Sequence, residues 1–329
     1  ETCITNNLLP NNENNKMKIL VTGASGQFGR RAAELLLEVL EPNELVLISR
    51  RPESLADFAR RGVEIRAGDF DRPETLDAAF AGIDRLLLIS TDSVGAKRRR
   101  QHGNAIAALE RARVGHIVYT SFVGASADNP AISASEHAAT EALLLATGIP
   151  CTFLRDSQYS EAITLFVAPD ALLTGRWLAS TGEGRIGLVS REDCVASAVA
   201  VLTGSGHEGK VYDLTGPELL SYRDCAALTA EFGGRPVEYI ACSEEEKYAF
   251  FDALGVPRRI VGDGPIEGPI PWPSEEMVSF EQAIREGRFA IVSNDVETLI
   301  GRPPASLRQI FEQYAATIKA AVGSQSVAH

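Results

Sequence analysis

The sequence predicts an α/β fold, in which a doubly wound parallel sheet is followed by a smaller C-terminal domain. Short apolar runs alternate with stretches of helix formers between residues 18 and 155. Strands that alternate with helices in this way form parallel sheets. The first apolar run, residues 18–21, is followed by a glycine-rich turn and then by the helix formers of residues 30–37. This order of strand, turn and helix is typical of nucleotide-binding α/β domains.

The overall composition excludes several classes of protein. The 329 residues carry a formal net charge of −12, which argues against nucleic acid or an anionic membrane as a partner. No apolar run is long enough to span a membrane. The five cysteines are widely spaced without a C-x-x-C pair, so we expect no metal site and no disulfide framework, and a cytoplasmic location. Residues 1–16 are rich in asparagine, and we interpret them as a tag remnant or a disordered extension.

The glycine-rich turn has the spacing of a dinucleotide-binding loop. Gly23 would permit the tight turn after the strand, Gly26 would let a pyrophosphate approach the backbone, and Gly29 would let the helix pack close to the sheet. Free N–H groups at the start of the helix would then bind the phosphates. The alternative is an ordinary glycine-rich β–α turn, and the flanking strand and helix argue against it.

The remaining elements of this domain follow in order. Strands are predicted at residues 45–48, 63–70, 85–90, 116–121 and 150–155, and helices at 73–80, 97–109 and 136–147. Ligands of open α/β sheets bind at the carboxyl ends of the strands. We therefore expect Asp69 and Phe70 beside an adenine ring, and Ser90 and Thr91 near the ligand. The basic run at residues 97–100 is predicted to be a solvated helix face, with a phosphate contact as the alternative.

The end of the second strand predicts the cofactor preference. An acidic residue about 20 residues past the glycine loop favours NAD, because it accepts a hydrogen bond from the ribose 2′-hydroxyl. Here the strand ends in Ser49, Arg50 and Arg51. Arginine forms strong charge-assisted hydrogen bonds with phosphate. The sequence therefore predicts NADP(H) in preference to NAD(H), held by Arg50 or Arg51, unless both are merely solvated surface residues.

Beyond Arg155 the regular alternation is lost. We assign residues 17–160 to the NADP-binding domain, with 188–215 returning to it, and assign 161–187 and 216–325 to a smaller substrate-binding or lid domain. In this part we predict a loop at 175–187, a strand at 210–214, helices at 192–202, 221–232, 243–254 and 307–321, and a proline-rich loop or lid at 255–274. Trp272 in that loop, together with Phe250 and Phe251, suggests a built substrate pocket.

The chain resembles the NmrA-like family of atypical short-chain dehydrogenases/reductases, and in particular its NAD(P)H:quinone oxidoreductase and triphenylmethane reductase type. The motifs that carry the resemblance are residues 22–29, 66–70, 84–90, 116–121, 137–141, 152–155 and 210–217. The resemblance spans about residues 17–220 and fades afterwards. It implies a Rossmann domain and a smaller C-terminal domain with the substrate cleft between them.

The resemblance also implies the site residues. Cofactor contacts are expected at Gly23, Ser25, Gly26, Gln27, Phe28, Gly29, Arg50, Asp69, Phe70, Ser90 and Thr91. Ser121 and His137 are expected near the nicotinamide ribose, and the turn from Arg155 to Tyr159 near the nicotinamide ring. Asp156 stands where the family pattern leads us to expect Asn. A carboxylate there could act as an acid–base group or alter the choice of substrate.

A typical short-chain dehydrogenase carries Tyr-x-x-x-Lys on the helix after its fifth strand, where the tyrosine protonates the alkoxide. Here Ser133 has the tyrosine-like place and His137 the lysine-like place. Because a serine hydroxyl is a poor proton donor, ketone–alcohol interconversion and sugar epimerisation are disfavoured. Tyr159, His137 and Asp156 are the candidate catalytic residues. The structural alternatives are that His137 only holds the ribose and that Tyr159 is a half-buried aromatic at the domain boundary.

Quinones and activated enones need less help from a proton donor than a simple ketone does, and a cationic dye needs none. The leading hypothesis is therefore an NADPH-dependent reductase of such small electrophiles. The alternatives are a non-catalytic NADP(H)-binding redox sensor that acts through a protein partner, and a biosynthetic C=C or C=O reductase. The sequence leaves open whether the chain forms a homodimer.

Overall fold

The computed structural model describes residues 17–260 and 270–325. Residues 1–16, interpreted above as a tag or extension, and residues 261–269 of the predicted lid lie outside the described residues. The strands are β1 (Ile19–Val21), β2 (Leu45–Ser49), β3 (Glu64–Ala67), β4 (Arg85–Leu88), β5 (His116–Phe122), β6 (Cys151–Asp156), β7 (Arg176–Ala179), β8 (Val211–Leu214) and β9 (Glu238–Ala241). Within those two ranges, no helix is long and apolar enough to cross a membrane.

The helices complete the chain. They are α1 (Gln27–Leu36), α2 (Ala56–Arg60), α3 (Leu76–Phe80), α4 (Ala96–Ala112), α5 (Ile132–Ala146), α6 (Ser160–Ala162), α7 (Ala168–Thr174), α8 (Arg191–Thr203), α9 (Tyr222–Gly233), α10 (Glu244–Ala253), α11 (Ser274–Arg285), α12 (Asp295–Ile300) and α13 (Leu307–Gln325). A π-helical turn, Ile163–Val167, joins α6 to α7. Turns of this kind occur often at functional sites.

Seven parallel strands form the central sheet, in the order β3-β2-β1-β4-β5-β6-β8. Its inner strands β1 and β2 are buried at every residue because helices cover both faces of the sheet. Val118 and Leu154 face a core shared with α1 and α8. The neighbouring residues Tyr119 and Phe153 face a second core shared with α3, α4 and α5. The predicted doubly wound parallel sheet is confirmed.

A separate hydrophobic core lies outside the central sheet. It includes Trp177 of β7 and Phe311 of α13, together with Ile284 and Phe289. Here β7 pairs in parallel with β9. The prediction of a loop at 175–187 is therefore wrong for β7. Its four residues between Gly175 and Ser180 are too few to show a strand period, and pairing with β9, about 60 residues later, is not visible locally.

Side-chain burial corrects one further prediction and distinguishes the three aromatics named in another. The basic run 97–100 is not simply a solvated face, because Arg98 is buried and lies 3.7 Å from Glu136. Consecutive helix residues point in different directions, so a run of four cannot all face water. The three aromatics of the predicted pocket do not share one environment. Phe251 is buried against Val256 and Val278, whereas Phe250 and Trp272 are 37% and 43% exposed.

Candidate active site

The glycine loop has the geometry that a dinucleotide site needs. Gly23 has a φ of +58°, a conformation that other residues adopt only with strain. A Cβ atom on Gly29 would lie 2.5 Å from the carbonyl oxygen of Gly23 and 2.9 Å from the Cα atom of Ala24. Gly29 therefore lets α1 pack directly onto the loop, as its position in the sequence predicts.

The first turn of α1 is open to an anion. Gly26 is the N-cap residue of α1, and no side chain caps this end of the helix. The first turn contains no acidic residue. Ser25 and Gln27 beside it are exposed, whereas the Phe28 side chain packs in the core, so only the Phe28 backbone faces the loop. An uncapped helix N-terminus with exposed N–H groups favours phosphate binding. These residues therefore fit the pyrophosphate of a dinucleotide.

The arginines after β2 are free to bind a ligand. Arg50 and Arg51 are exposed, and the structure shows no ion pair of either guanidinium with any residue that it describes. Nearby Arg30, in contrast, donates to Asp57 Oδ2 at 2.6 Å. Uncommitted cations at the end of the second strand fit the 2′-phosphate of NADP.

The ends of β3 and β4 present the next predicted contacts. Asp69 and Phe70 are half-buried, and Phe70 packs against the core under α3 and α4. The Ser90 N–H donates to Thr120 Oγ1 at 2.9 Å, and the Thr91 N–H donates to His102 Nε2 at 3.1 Å. Burial lowers the pKa of His102 to about 3, so this histidine stays neutral and holds the loop after β4.

On the α5 side of the sheet, two predicted cofactor contacts bind the same carboxylate. Ser121 Oγ donates to Glu141 Oε1 at 2.6 Å. Arg155 donates to Glu141 through Nε at 2.9 Å and Nη2 at 2.6 Å. The Arg155 guanidinium is thus already engaged by the protein. Glu141 was not among the predicted site residues, although its spacing of four residues from His137 places both on one helix face.

His137 lies on the same face of α5 as Glu141. Its Nδ1 atom is 2.8 Å from the buried hydroxyl of Tyr119. Burial, together with the charge of Arg98, holds the pKa of His137 well below its usual range. A neutral imidazole bonded to a core tyrosine is suited to positioning rather than to donating a proton at physiological pH.

The N-terminus of α5 meets α4 and α11 in a buried polar cluster. The backbone N–H of Ser133 donates to Glu276 Oε1 at 3.1 Å. The hydroxyl of Ser133, Nη1 of Arg98 and Oε2 of Glu136 and Glu276 are buried without a hydrogen-bond partner among the residues described. Burial raises the pKa of both glutamates. Ser133 therefore lies in a buried cluster with two glutamates whose raised pKa values favour their protonated forms.

On the opposite, α8 side of the sheet lie Asp156 and Tyr159. The Tyr159 hydroxyl donates to Asp156 Oδ2 at 2.7 Å. Oδ1 of Asp156 is buried and lacks a hydrogen-bond partner in the described part of the chain. Burial raises the pKa of Asp156 to about 7, although Tyr159 and the thiol of Cys194 favour the ionised form. Cys194, on α8, was not among the predicted site residues, and its distance in the sequence gives no local signal.

Arg191 connects this pair to the glycine loop. Its guanidinium Nη1 donates to Gln27 Oε1, and its Cζ lies 5.5 Å from the centre of the Tyr159 ring. Both Gln27 and Arg191 line a cavity of about 450 Å³, which Ile310 and Tyr314 of α13 also line. Arg191 thus contacts both Gln27 of the predicted phosphate site and Tyr159, the hydrogen-bond partner of Asp156. Arg191 was not predicted.

The described residues contain no group of three or more His, Cys, Asp or Glu side chains able to hold a metal ion. A second, more open cavity of about 470 Å³ lies between β9 and α11, lined by Ser180, Cys242 and Arg285 among others. None of the residues that line it belongs to the glycine loop.

The family of the chain follows from comparison with known proteins. A family model described as NAD(P)H-binding matches residues 23–203, more than half of the chain. The chain belongs to this NAD(P)H-binding family. The predicted resemblance to NmrA-like oxidoreductases is confirmed: an NmrA-like family domain-containing oxidoreductase of Aspergillus flavus is 29% identical over 90% of this chain and 94% of its own length.

Individual relatives are named reductases. Quinone oxidoreductase 2 of Escherichia coli K12 is 37% identical over 73% of this chain and 82% of its own length. The structure of NADPH-dependent quinone oxidoreductase QOR2 from E. coli with NADPH has a TM-score of 0.81 at 32% identity, covering 90% of this chain and 99% of that one. Triphenylmethane reductase of Citrobacter sp. with NADP(H) has a TM-score of 0.77 at 31% identity, covering 90% and 99%. This chain is accordingly an NAD(P)H-dependent oxidoreductase.

Proposed function

We propose that this chain is an NADPH-dependent reductase that transfers a hydride to a small electrophile such as a quinone, a cationic dye or an activated enone. The observation that carries the proposal is the buried Asp156–Tyr159 pair, connected through Arg191 to an open glycine loop. Perturbed acids beside a ligand site are characteristic of catalytic centres. The named activities of the relatives agree with such substrates.

The cofactor would be held along the carboxyl ends of the strands. The loop from Gly23 to Gly29 would bind the pyrophosphate, and Arg50 the 2′-phosphate. Asp69 and Phe70 would contact the adenine, and Ser90, Thr91, Ser121 and His137 the nicotinamide half. When bound, the dihydronicotinamide supplies a hydride to the substrate.

Tyr159 and Asp156 would then handle the proton. Hydride addition to a quinone leaves a hydroquinone monoanion, whose oxygen takes the phenolic proton of Tyr159. Below about pH 7 the Asp156 carboxyl is protonated and returns a proton to the Tyr159 oxygen as their hydrogen bond reverses. Solvent reprotonates Asp156 afterwards. A cationic dye is neutralised by the hydride itself, so its reduction needs neither group as a donor.

The test has two stages. NADPH and NADH are titrated against the protein's fluorescence, and NADPH absorbance is then followed with 1,4-benzoquinone and with malachite green. Tighter binding of NADPH than NADH, followed by turnover of either acceptor, supports the proposal. Tight binding without turnover of quinones, dyes or enones would contradict it and favour the redox-sensor alternative.

A further inference from the structure

The guanidinium of Arg191 lies in an electrostatically unfavourable place. It contacts Gln27, the first residue of α1, where the helix dipole presents positive charge. A cation at that end of a helix is normally disfavoured, and Gln27 offers only a neutral amide oxygen.

The protein does not compensate this charge. Among residues 17–260 and 270–325, no carboxylate lies within ion-pair distance of the Arg191 guanidinium. The buried carboxylate of Glu161 accepts from the backbone N–H of Arg191 at 3.0 and 3.2 Å, not from its guanidinium. The neighbouring Arg31 is different, because it donates to both carboxylate oxygens of Glu192. The Arg191 guanidinium thus has no ion-pair partner among the described residues, and it lies beside the N-terminus of α1, which no side chain caps.

We infer that Arg191 is a cofactor-binding and positioning residue, which binds the pyrophosphate from α8 and holds the Tyr159 ring with the same guanidinium. This inference rests on the proposed function, since it supposes that the loop takes a dinucleotide. An anionic pyrophosphate would neutralise both the guanidinium and the positive end of α1. Two opposing elements, α1 and α8, would then hold the ligand between them.

The contact with Tyr159 gives the inference a mechanistic consequence. A guanidinium over an aromatic ring attracts it by a cation–π interaction. Burial and the Asp156 carboxylate raise the pKa of Tyr159 well above its usual value, and the Arg191 charge opposes that shift. A cofactor that fixes Arg191 therefore also fixes the proposed proton donor. Pyrophosphate binding and the position of the catalytic phenol become linked through one side chain.

Fragments of the cofactor separate its two anionic sites. ADP-ribose contains the pyrophosphate but lacks the 2′-phosphate, whereas 2′-AMP has the 2′-phosphate and no pyrophosphate. Calorimetric titration of wild type, Arg191→Gln and Arg50→Gln with both fragments measures each site alone. Arg223→Gln is the matched control, since Arg223 also lies over a tyrosine ring, at 4.5 Å from the centre of Tyr239, on α9.

Arg191→Gln should weaken ADP-ribose binding about ten- to a hundredfold, as expected for loss of a charge-assisted bond, and leave 2′-AMP binding within about twofold. Arg50→Gln should show the reverse pattern, and Arg223→Gln should change neither affinity. Arg191→Lys keeps the charge and should restore part of the ADP-ribose affinity. In NADPH turnover with 1,4-benzoquinone, Arg191→Lys should lower kcat more than it raises the KM for NADPH, because lysine loses the planar ring contact.

Unchanged ADP-ribose affinity in Arg191→Gln, with wild-type thermal stability, would overturn the inference. Equal weakening of both fragments would also overturn it, because that pattern indicates a general structural role. If Arg191→Gln does not fold, Arg191→Met, which also removes the charge, provides the same comparison. Failure of wild type to bind either fragment would instead contradict the proposed function itself.

Discussion

Arg155 and Asp156 are neighbours in the chain, yet they lie in opposite environments on the two faces of β6. The Arg155 guanidinium faces α5 and is engaged by Glu141, which also accepts from Ser121. Asp156 faces α8, where one carboxylate oxygen has a tyrosine donor and the other has no hydrogen-bond partner among the described residues. The network around Glu141 thus pairs each of its charged groups, whereas the Asp156 carboxyl keeps one oxygen unpaired among the described residues.

This difference indicates where the chemistry occurs. A saturated network holds strands and helix in place, but it has no group free to respond to a substrate. A buried acid with a pKa near 7 can exchange its proton within the physiological range. We therefore assign structural support to the α5 face and proton transfer to the α8 face, and the following predictions test that division.

The largest effect should come from Glu141→Ala. This change leaves the partly buried Arg155 guanidinium without its partner. Breaking a buried pair in this way lowers the free energy of unfolding by about 3–5 kcal/mol. We expect the lower end of that range because 26% of the Arg155 side chain is exposed. Urea denaturation measures the loss. Glu192→Ala is the control, because its partner Arg31 is 40% exposed and Glu192 itself is 47% exposed. Loss of this surface pair should lower the free energy of unfolding by at most about 1 kcal/mol.

Asp156→Asn should alter the pH dependence of stability. The folded protein keeps the Asp156 proton up to about pH 7, whereas the unfolded chain releases it near the ordinary value of 3.8. The unfolded state thus binds fewer protons between these values, so wild type loses stability as pH rises, by up to about 1.4 kcal/mol per pH unit. The variant lacks this contribution.

Urea midpoints of both proteins at pH 5, 6, 7 and 8 test this prediction. The stability of Asp156→Asn relative to wild type should rise with pH and level off above about pH 7. A constant difference across the series would show that Asp156 titrates normally in the folded protein.

Arg50→Gln should weaken NADPH binding by about 1.5–3 kcal/mol, because it removes a charge-assisted bond to the 2′-phosphate. The affinity for NADH, which has no such phosphate, should stay within about twofold. Parallel fluorescence titrations with the two cofactors provide the measurement. Equal affinities for NADPH in variant and wild type would remove Arg50 from the site and direct attention to Arg51.

The smallest effect is expected from Tyr119→Phe, which removes the hydroxyl bonded to His137. Loss of one buried hydrogen bond should cost about 0.5–1.5 kcal/mol of unfolding free energy, with little change in turnover. His137→Ala extends the test: reduced NADPH affinity would support its place near the nicotinamide ribose, whereas intact affinity and turnover would exclude it from the site.

Sequence reasoning predicts what depends on local pattern. The central sheet follows from apolar runs that alternate with helices, and the roles of Gly23 and Gly29 follow from their spacing. Contacts between distant segments are not predictable in this way. Cys194 approaches Asp156, and Arg191 approaches Gln27, only because α8 packs beside α1 after a long excursion of the chain. The same reason explains why the pairing of β7 with β9 is invisible in the sequence.

Which charged side chains become buried is also not predictable from the sequence. Within the basic run, only the docking of α4 against α5 selects Arg98 for burial beside Glu136. Likewise, Asp156 differs from the expected Asn by a single group, and its chemistry depends on an environment built by Tyr159 and α8. The sequence names Asp156 and Tyr159 as candidates, but it does not indicate their states of ionisation.

The central claim is that the α8 face supplies the proton, and the pH dependence of kcat in wild type and Asp156→Asn tests it most directly. With NADPH and 1,4-benzoquinone, wild-type kcat should fall as pH rises through about 7. The variant should be at least about tenfold slower at pH 6, within the range of general acid catalysis, and show no such fall. Reduction of malachite green, which needs no proton, should be much less affected. Identical quinone profiles for the two proteins would contradict the claim.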